Sequence, residues 1–460
     1  MKPVLLLDVV GLTPRQIQSD TTPHLAALAA RGSLAPMRAI LPGVTCAAQA
    51  TMLTGELPVV HGVVGNGWRD PASYDVALWR QSNHLVAGEK IYEAARERDP
   101  GFTCAKLFWW WNMGAAVDMS ITPRPFYFAD GRKQIAIYGT PDGYGEAMEA
   151  ELGPFPFFDF WGPKAGLPSS RWIADAAIKT LREKRPTLTM AYLPHLDYDH
   201  QRFGPGDARS IQALRDVDGI VGDLVAAADA AGAETIVVSE YGIRDVSRPV
   251  HINRVLREAG LLRARTTPHG DVLDVFASDA FAVVDHQVAH VYCQGERATD
   301  AAREALEDLD GVATVLGEDE KRAAGLDHPN AGTLVALSEQ DAWFTYYYWS
   351  GRDAEPDFAR TVDIHRKPGY DPVELFLDPA RPGAMKRRVA YRLLRKTLGL
   401  RYLMDVIGLD ASVVRGTHGL APTDPADGAV LLSTAKVGAA ETLPATGIKD
   451  LFLRTIFEAR

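Results

Sequence analysis

Three observations predict an α/β fold, a doubly wound and mostly parallel sheet with an inserted α+β subdomain. Apolar runs of strand length alternate with helical patterns, an order that pairs strands in parallel through helical crossovers. Polar residues gather where those runs end, and in such sheets the carboxyl ends of the strands face the ligand crevice. The alternation breaks once, between about 275 and 360, where several strands follow one another closely.

The elements follow in order. "PVLLLDVV" is the first strand and precedes a helix near "PHLAALAARG". "FTCAKLFWWW" is a strand running into a polar loop. "TLTMAYL" is a buried strand after the helix "SRWIADAAIKTLREK", and "AETIVVSEYG" is another after "DGIVGDLVAAADAAG". In the break, "DAFAVVDHQVAHVYCQ" reads as two short strands and "TDAAREALEDL" as a helix. "GVATVLG", "GTLVALSE" and "AWFTYYYW" add further strands. "TVDIHRKPGYDPVELFLDP" is rich in turn residues, after which "AVLLST" and "IKDLFLRTIF" return to the α/β pattern. The expected division is a discontinuous core, 1–274 with 361–460, and an insertion at 275–360. No internal repeat or low-complexity run interrupts it.

The 460 residues are 47% hydrophobic and 23% charged, enough for one large core plus an insertion. A formal net charge of −10 argues against duplex nucleic acid as a partner, since phosphate contacts need clustered Lys and Arg. The one basic cluster, "MKRRVAYRLLRK" at 385–396, reads as an amphipathic helix with a solvated face rather than a membrane contact. Three cysteines, Cys46, Cys104 and Cys293, support neither a disulfide framework nor a cysteine zinc site. The opening "MKPVLLLDVVG" runs straight into a strand, and no window reaches the 18 or so apolar residues of a membrane span. A cytoplasmic location is the expectation.

Candidate site residues sit at strand ends and helix starts. Asp8 closes the first strand, as a metal ligand or as a helix cap. Thr45 begins the small-residue helix "CAAQATMLTG", where backbone N–H groups and the positive helix end suit an anion or a nucleophilic oxygen; a plain cap is the alternative. Asn66 lies in "GNG", as a donor to a phosphoryl oxygen or as a turn residue. "LPHLDYDHQRFGP", 193–205, loads the end of a buried strand with Asp197, Asp199 and His200. "SEYGIRD" ends another strand with Glu240 and Tyr241, and "VVRGTHGLAP" holds His418 between glycines. Trp110 and Trp111 in "LFWWWN" could stack on a base or a lipid-like group, or simply pack. Lys133, His365 and Lys367 are possible anion contacts.

The order of these features resembles the alkaline phosphatase superfamily, in particular its nucleotide pyrophosphatase/phosphodiesterase branch. "TMLTGELPVVHGVVGN" is similar to that branch's "xxxTG…LYPxxHGIxxN", with His61 and Gly62 in register. "LDYDHQRFGP" matches "PDxxGHxxGP" through Asp197 and the terminal Gly204-Pro205. "SEYGI" matches "SDHGM", and "GTHGLAP" matches "GTHGYDN".

The resemblance implies an alkaline phosphatase-like core and a metal-dependent hydrolase of phosphate esters, with phosphodiester or pyrophosphate bonds as the preferred class. It implies Thr45 as a nucleophile passing through a phosphothreonine, Asn66 as a donor to the phosphoryl group, and a small phosphorylated substrate such as a nucleotide. It also implies two divalent ions, one held by Asp8, Thr45, Glu240 and Tyr241, the other by Asp197, His418 and either Gln201 or His200. Three positions depart from the family pattern: Gln201 stands where a His belongs, with His200 one residue early; Glu240 replaces Asp; Tyr241 replaces His. A neutral phenol, with an ordinary pKa of about 10, is a poor ligand at neutral pH. Fewer imidazoles shift the expected ion from Zn²⁺ towards Mn²⁺, Mg²⁺ or Ca²⁺. Two alternatives remain: a phosphomonoesterase, phosphonate-cleaving or mutase relative, and a binding protein with degenerate metal sites. A sulfatase is disfavoured by Thr at the nucleophile position.

Overall fold

The computed structural model describes residues 1–129, 132–362, 365, 367–378, 382–400, 402–435 and 442–458. Asp130 and Gly131 of the stretch around Lys133 lie outside the described residues. So do Asp363, Ile364 and Arg366 of the turn-rich stretch around His365.

Nine strands form the central sheet: β1 (Val4–Val9), β2 (Ser33–Arg38), β3 (Cys104–Leu107), β4 (Met119–Pro123), β5 (Ile137–Thr140), β6 (Leu188–Leu193), β7 (Glu234–Val238), β8 (Ala429–Ser433) and β9 (Leu443–Pro444). Their order is β9-β2-β8-β7-β1-β6-β3-β4-β5. The five strands β7, β1, β6, β3 and β4 run parallel, while β8 lies antiparallel to β7 and β5 antiparallel to β4. The three innermost strands, β7, β1 and β6, are buried along their whole length. That is why they read as unbroken apolar runs rather than alternating ones. This is the fold class the sequence predicts.

The helices that matter to the site are α1 (Thr45–Thr54), α2 (Leu167–Glu183), α3 (His195–Phe203), α4 (Ala208–Ala230), α5 (Pro382–Thr397) and α6 (Ile448–Phe457). α2 and α4 pack together, α2 covers β6, and α6 packs on α1. Among the described residues no helix is long and apolar enough to cross a membrane.

A separate four-stranded antiparallel sheet is built from Ala280–Asp285, Val288–Cys293, Leu334–Ser338 and Val312–Leu316, in that order, with the helix Glu296–Glu307 against it. Its apolar cluster draws in Val250 and Leu256 before it in sequence and Val373 and Val414 after it. The run "AWFTYYYW" is a strand only over Ala342–Phe344, paired in parallel with Arg248–Val250. Tyr346, Tyr347, Tyr348 and Trp349 instead pack ring against ring, burying aromatic area without needing a ladder.

Candidate active site

Three parallel strands deliver the first groups. β1 carries Asp8 to its carboxyl end. β6 leads through Pro194 into α3, and β7 leads into Glu240 and Tyr241. The opening of α1 lies across them. Thr45 is its first residue and is almost wholly buried. The Thr45 hydroxyl donates to Glu240 Oε2 at 2.7 Å and lies 3.3 Å from the Tyr241 phenol oxygen. Tyr241 donates to Asp197 Oδ1 at 3.2 Å, and His418 Nε2 is 4.0 Å from that same oxygen. Asp8 joins through Gln49, whose amide nitrogen donates to Asp8 Oδ2 at 3.1 Å and to Glu240 Oε1 at 2.7 Å. Asp8, Thr45, Asp197, Glu240, Tyr241 and His418 therefore meet at one place.

α3 points Gln201 and His200 in different directions. Asp197 and Gln201 are four residues apart and share a helix face, so Gln201 Nε2 donates to Asp197 Oδ2 at 2.7 Å. His200, about 100° round the helix, turns its ring away towards Gly11. Both its ring nitrogens are buried without a partner, and burial lowers its pKa to about 4. Asp199 is engaged by Arg202 at 2.9 Å.

Asn66 is held on every side. Its Oδ1 accepts the Cys46 N–H at 2.8 Å. Its Nδ2 donates to Asp285 Oδ1 at 3.1 Å and to the Tyr370 hydroxyl at 2.9 Å, and its backbone N–H donates to Asp285 Oδ2 at 2.7 Å. Asp285 and His286 come from the tip of the hairpin between Ala280–Asp285 and Val288–Cys293. His286 takes a left-handed conformation there (φ 58°), and its ring lies 3.8 Å from that of His418, centroid to centroid. Together with Trp79, Trp110 and Trp161 these groups enclose a narrow cavity of about 50 Å³ beside Thr45.

Burial sets the charge state. It raises Asp8 well above the usual carboxylate range, and neighbouring Glu240 raises it further. It raises Glu240 to about 7, opposed by hydrogen bonds from Asp8, Thr45 and Gln49. Burial raises Asp197 to about 6 against hydrogen bonds from Gln201 and Tyr241, and pushes the Tyr241 phenol far up, so that it stays a neutral donor. Burial lowers His418 to about 3. The neutral ring gives its Nδ1–H to the Gly43 carbonyl at 2.8 Å, leaving the Nε2 lone pair towards Asp197.

The two implied ion positions differ in their fit. Around Asp197, Gln201 presents its –NH₂ as the structure stands, but its Oε1 is buried without a partner, so no second bond fixes the amide; turned over, it would complete a set of carboxylate, imidazole and amide oxygen that suits one divalent ion. Between Asp8 and Glu240 the place is taken by the Gln49 –NH₂. Its orientation is fixed, because Gln49 Oε1 accepts the Trp110 N–H at 2.6 Å, and a flipped amide would set donor against donor. A cation does not fit beside that donor. Among the described residues no group of three or more His, Cys, Asp or Glu is arranged to hold a metal ion.

The peripheral candidates divide. Trp110 lines the cavity, whereas Trp111 is buried with its indole N–H on the Cys46 carbonyl and packs structurally. Lys367 is also internal: its ammonium is 2.6 Å from Glu374 and donates to the Thr361 carbonyl, a neutralised buried pair that leaves no charge for a substrate. Lys133 and His365 line an adjoining small cavity rather than the one beside Thr45. Sequence reasoning missed Gln49, Asp285, His286 and Tyr370. The available signals were a polar residue four after Thr45 among small apolar ones, and a charged pair between two apolar strands.

A parallel-centred sheet, with a buried hydroxyl at a helix start and carboxylates at the strand ends, is the arrangement of the alkaline phosphatase superfamily. Residues 4–371 match the family model described as type I phosphodiesterase / nucleotide pyrophosphatase, and the chain belongs to that family of phosphoric ester hydrolases. An uncharacterized pyrophosphatase/phosphodiesterase of Schizosaccharomyces pombe is 24% identical over 228 residues, 48% of this chain. That match spans only 40% of the yeast protein. Among solved structures, phosphonoacetate hydrolase from Sinorhizobium meliloti in complex with phosphonoacetate has a TM-score of 0.63 at 16% identity, covering 99% of this chain and 96% of that one. Inactive murine ectonucleotide pyrophosphatase/phosphodiesterase 5 in complex with AMP has a TM-score of 0.58 at 15% identity, covering 99% and 95%. At these identities the likeness concerns the fold.

Proposed function

We propose that this protein hydrolyses a phosphodiester through a phosphothreonine at Thr45, with Glu240 as the base that activates the hydroxyl. The observation that carries this reading is the 2.7 Å hydrogen bond from Thr45 to Glu240, made at the start of α1 beside an aromatic-walled cavity. A hydroxyl is a weak nucleophile until a neighbouring base takes its proton. Glu240, poised near neutrality, is matched to that task. The Thr45 oxygen attacks phosphorus as its proton passes to Glu240. The departing ester oxygen leaves on the far side and takes a proton from solvent. Water then adds hydroxide to the phosphorus and releases its other proton to solvent, while Glu240 returns its proton to the Thr45 oxygen. Asn66 orients the start of α1 through the Cys46 N–H. A divalent ion held by Asp197, His418 and Gln201 would supply positive charge to the phosphoryl oxygens.

Bis-p-nitrophenyl phosphate is the test substrate. Release of p-nitrophenol and an acid-stable phosphoryl adduct on Thr45, read by mass spectrometry, are expected together, and both vanish in Thr45→Ala. Parallel assays with p-nitrophenyl phosphate and phosphonoacetate separate diesterase from monoesterase or phosphonate cleavage. No turnover of any ester would leave the non-catalytic alternative.

A further inference from the structure

The inserted hairpin sends one side chain into the site. His286 sits at its tip, where a left-handed backbone (φ 58°) costs a bulky residue on the order of 1–3 kcal/mol. The neighbours hold it there. Gln287 donates its N–H to the His418 carbonyl at 3.2 Å, and the Phe344 N–H donates to the His286 carbonyl at 2.8 Å. The backbone so held sets the His286 ring on that of His418. His418 in turn lies 3.6 Å from the Tyr241 ring, centroid to centroid, and is parallel to it within 3°. Tyr241, His418 and His286 are thus three rings in one stack. The first has its phenol oxygen 3.3 Å from the Thr45 hydroxyl, and the second turns Nε2 towards Asp197. The third lines the same cavity beside Thr45.

Hydrogen bonding fixes the tautomer of the third ring. His286 Nδ1 is 3.2 Å from Thr417 Oγ1. Thr417 is buried, and its hydroxyl has no other partner among the described residues. A buried hydroxyl gives its proton to the acceptor it has, so Nδ1 is that acceptor. Burial and the neighbouring His418 push the His286 pKa far down, and in a neutral imidazole the other nitrogen then carries the hydrogen. Among the described residues this Nε2–H has no partner. The cavity is short of donors for a phosphate oxygen. No Lys or Arg is among the described residues that line it. Asn66 spends its two amide hydrogens on Asp285 and Tyr370, and Tyr241 gives its own to Asp197.

We propose that His286 is a further catalytic residue: its Nε2–H donates a hydrogen bond to a non-bridging oxygen of the phosphoryl group that Thr45 attacks, the part that the resemblance gives to Asn66. The hydrogen stays on the nitrogen throughout. The bond strengthens as negative charge gathers on that oxygen in the transition state. The inserted subdomain therefore supplies part of the active site. The place of the phosphorus rests on the Thr45 reading; the donor is tested separately from it.

Three variants of the full chain separate the donor from the fold. In His286→Gln a side-chain N–H returns near the Nε2 position, in His286→Asn only near Nδ1, and in His286→Ala at neither. Asn also tolerates the left-handed backbone, so His286→Asn should match wild type in circular dichroism and thermal melting. With bis-p-nitrophenyl phosphate, kcat should fall on the order of 10²- to 10³-fold in the Asn and Ala variants, the effect of one lost donor to transition-state charge, with KM little changed. His286→Gln should recover about ten-fold of that loss. Calorimetry with orthovanadate, which mimics the phosphoryl group in transfer, should show affinity falling in His286→Asn and recovering in His286→Gln. A kcat and a vanadate affinity indifferent to His286→Asn, or equal losses in the Asn and Gln variants, overturn the proposal. Vanadate affinity that follows the Nε2 donor, in a chain that forms no adduct on Thr45, would uphold His286 and overturn the Thr45 chemistry instead.

Discussion

Thr45 and Glu240 form the smallest unit that makes a reaction of this site. Thr45→Ala removes the nucleophile and a donor to Glu240. Turnover of bis-p-nitrophenyl phosphate should fall to background while the folded state loses about 1 kcal/mol, the ordinary net worth of one hydrogen bond. Thr45→Ser keeps the hydroxyl and should keep measurable turnover. The base makes a pH prediction whose sign follows from its shift. Burial holds Glu240 protonated up to about 7, so the form able to accept the Thr45 proton accumulates only above that pH. kcat/KM should therefore rise as pH increases through about 7. In Glu240→Gln the amide accepts no proton, the rise should disappear, and the rate should drop on the order of 10²- to 10⁴-fold, the range of general-base effects. A pH–rate series on both proteins checks this; an unchanged rise in Glu240→Gln would assign it to another group.

At the scale of elements, α3 and the inserted hairpin show what a linear reading can and cannot reach. The buried strands were legible because strands covered on both faces carry unbroken apolar runs, as in "TLTMAYL". Asp8, Thr45 and His418 stood out because each ends a strand or opens a helix or loop beside glycine. The contest between Gln201 and His200 needed the helical phase of α3, which a segment of turn-like residues between Pro194 and Pro205 concealed. Trp110 and Trp111 stayed open between stacking and packing because three consecutive Trp residues give no clue to which one faces the cavity. Lys367 was misread because its partner Glu374, seven residues on, meets it only after the intervening turn folds back. Gln49 and Asp285 were invisible as site residues because their partners lie 41 to 219 positions away. The hairpin makes its own prediction. Asp285 accepts two donors from Asn66 and one from Tyr370, so Asp285→Asn places an amide –NH₂ against at least one of them. Asn66 should shift and kcat should fall by up to about 100-fold, the effect of a small misplacement near reacting atoms. Circular dichroism should be unchanged. A wild-type kcat would mean that the Cys46 N–H and the Tyr370 hydroxyl suffice to hold Asn66.

For the molecule as a whole, one ion per chain is the outcome to measure, because the two ion positions implied by the resemblance have diverged. Asp197 and His418 offer two acceptors and Gln201 a third once its unpinned amide turns over, while Gln49, pinned by the Trp110 backbone N–H, places a donor between Asp8 and Glu240. Calorimetric titration with Mn²⁺ at pH 7.5 should give a stoichiometry near one. Saturation should also stabilise the fold by mass action, about 2.7 kcal/mol at a free concentration of 100 Kd. The proton competes with the ion for Asp197, whose pKa is raised to about 6, so affinity should weaken as pH falls through 6; His418, lowered to about 3, stays neutral throughout and adds nothing to that slope. Two substitutions move the two positions independently. Gln201→His replaces an amide oxygen with an imidazole and should tighten Zn²⁺ binding without changing the count. Gln49→Ala removes the donor between the carboxylates and should raise the count for Mn²⁺ to two. A wild-type chain that already binds two ions would show that Gln49 swings aside on loading, and that the Asp8 and Glu240 pair, with the Thr45 hydroxyl, is a metal site after all.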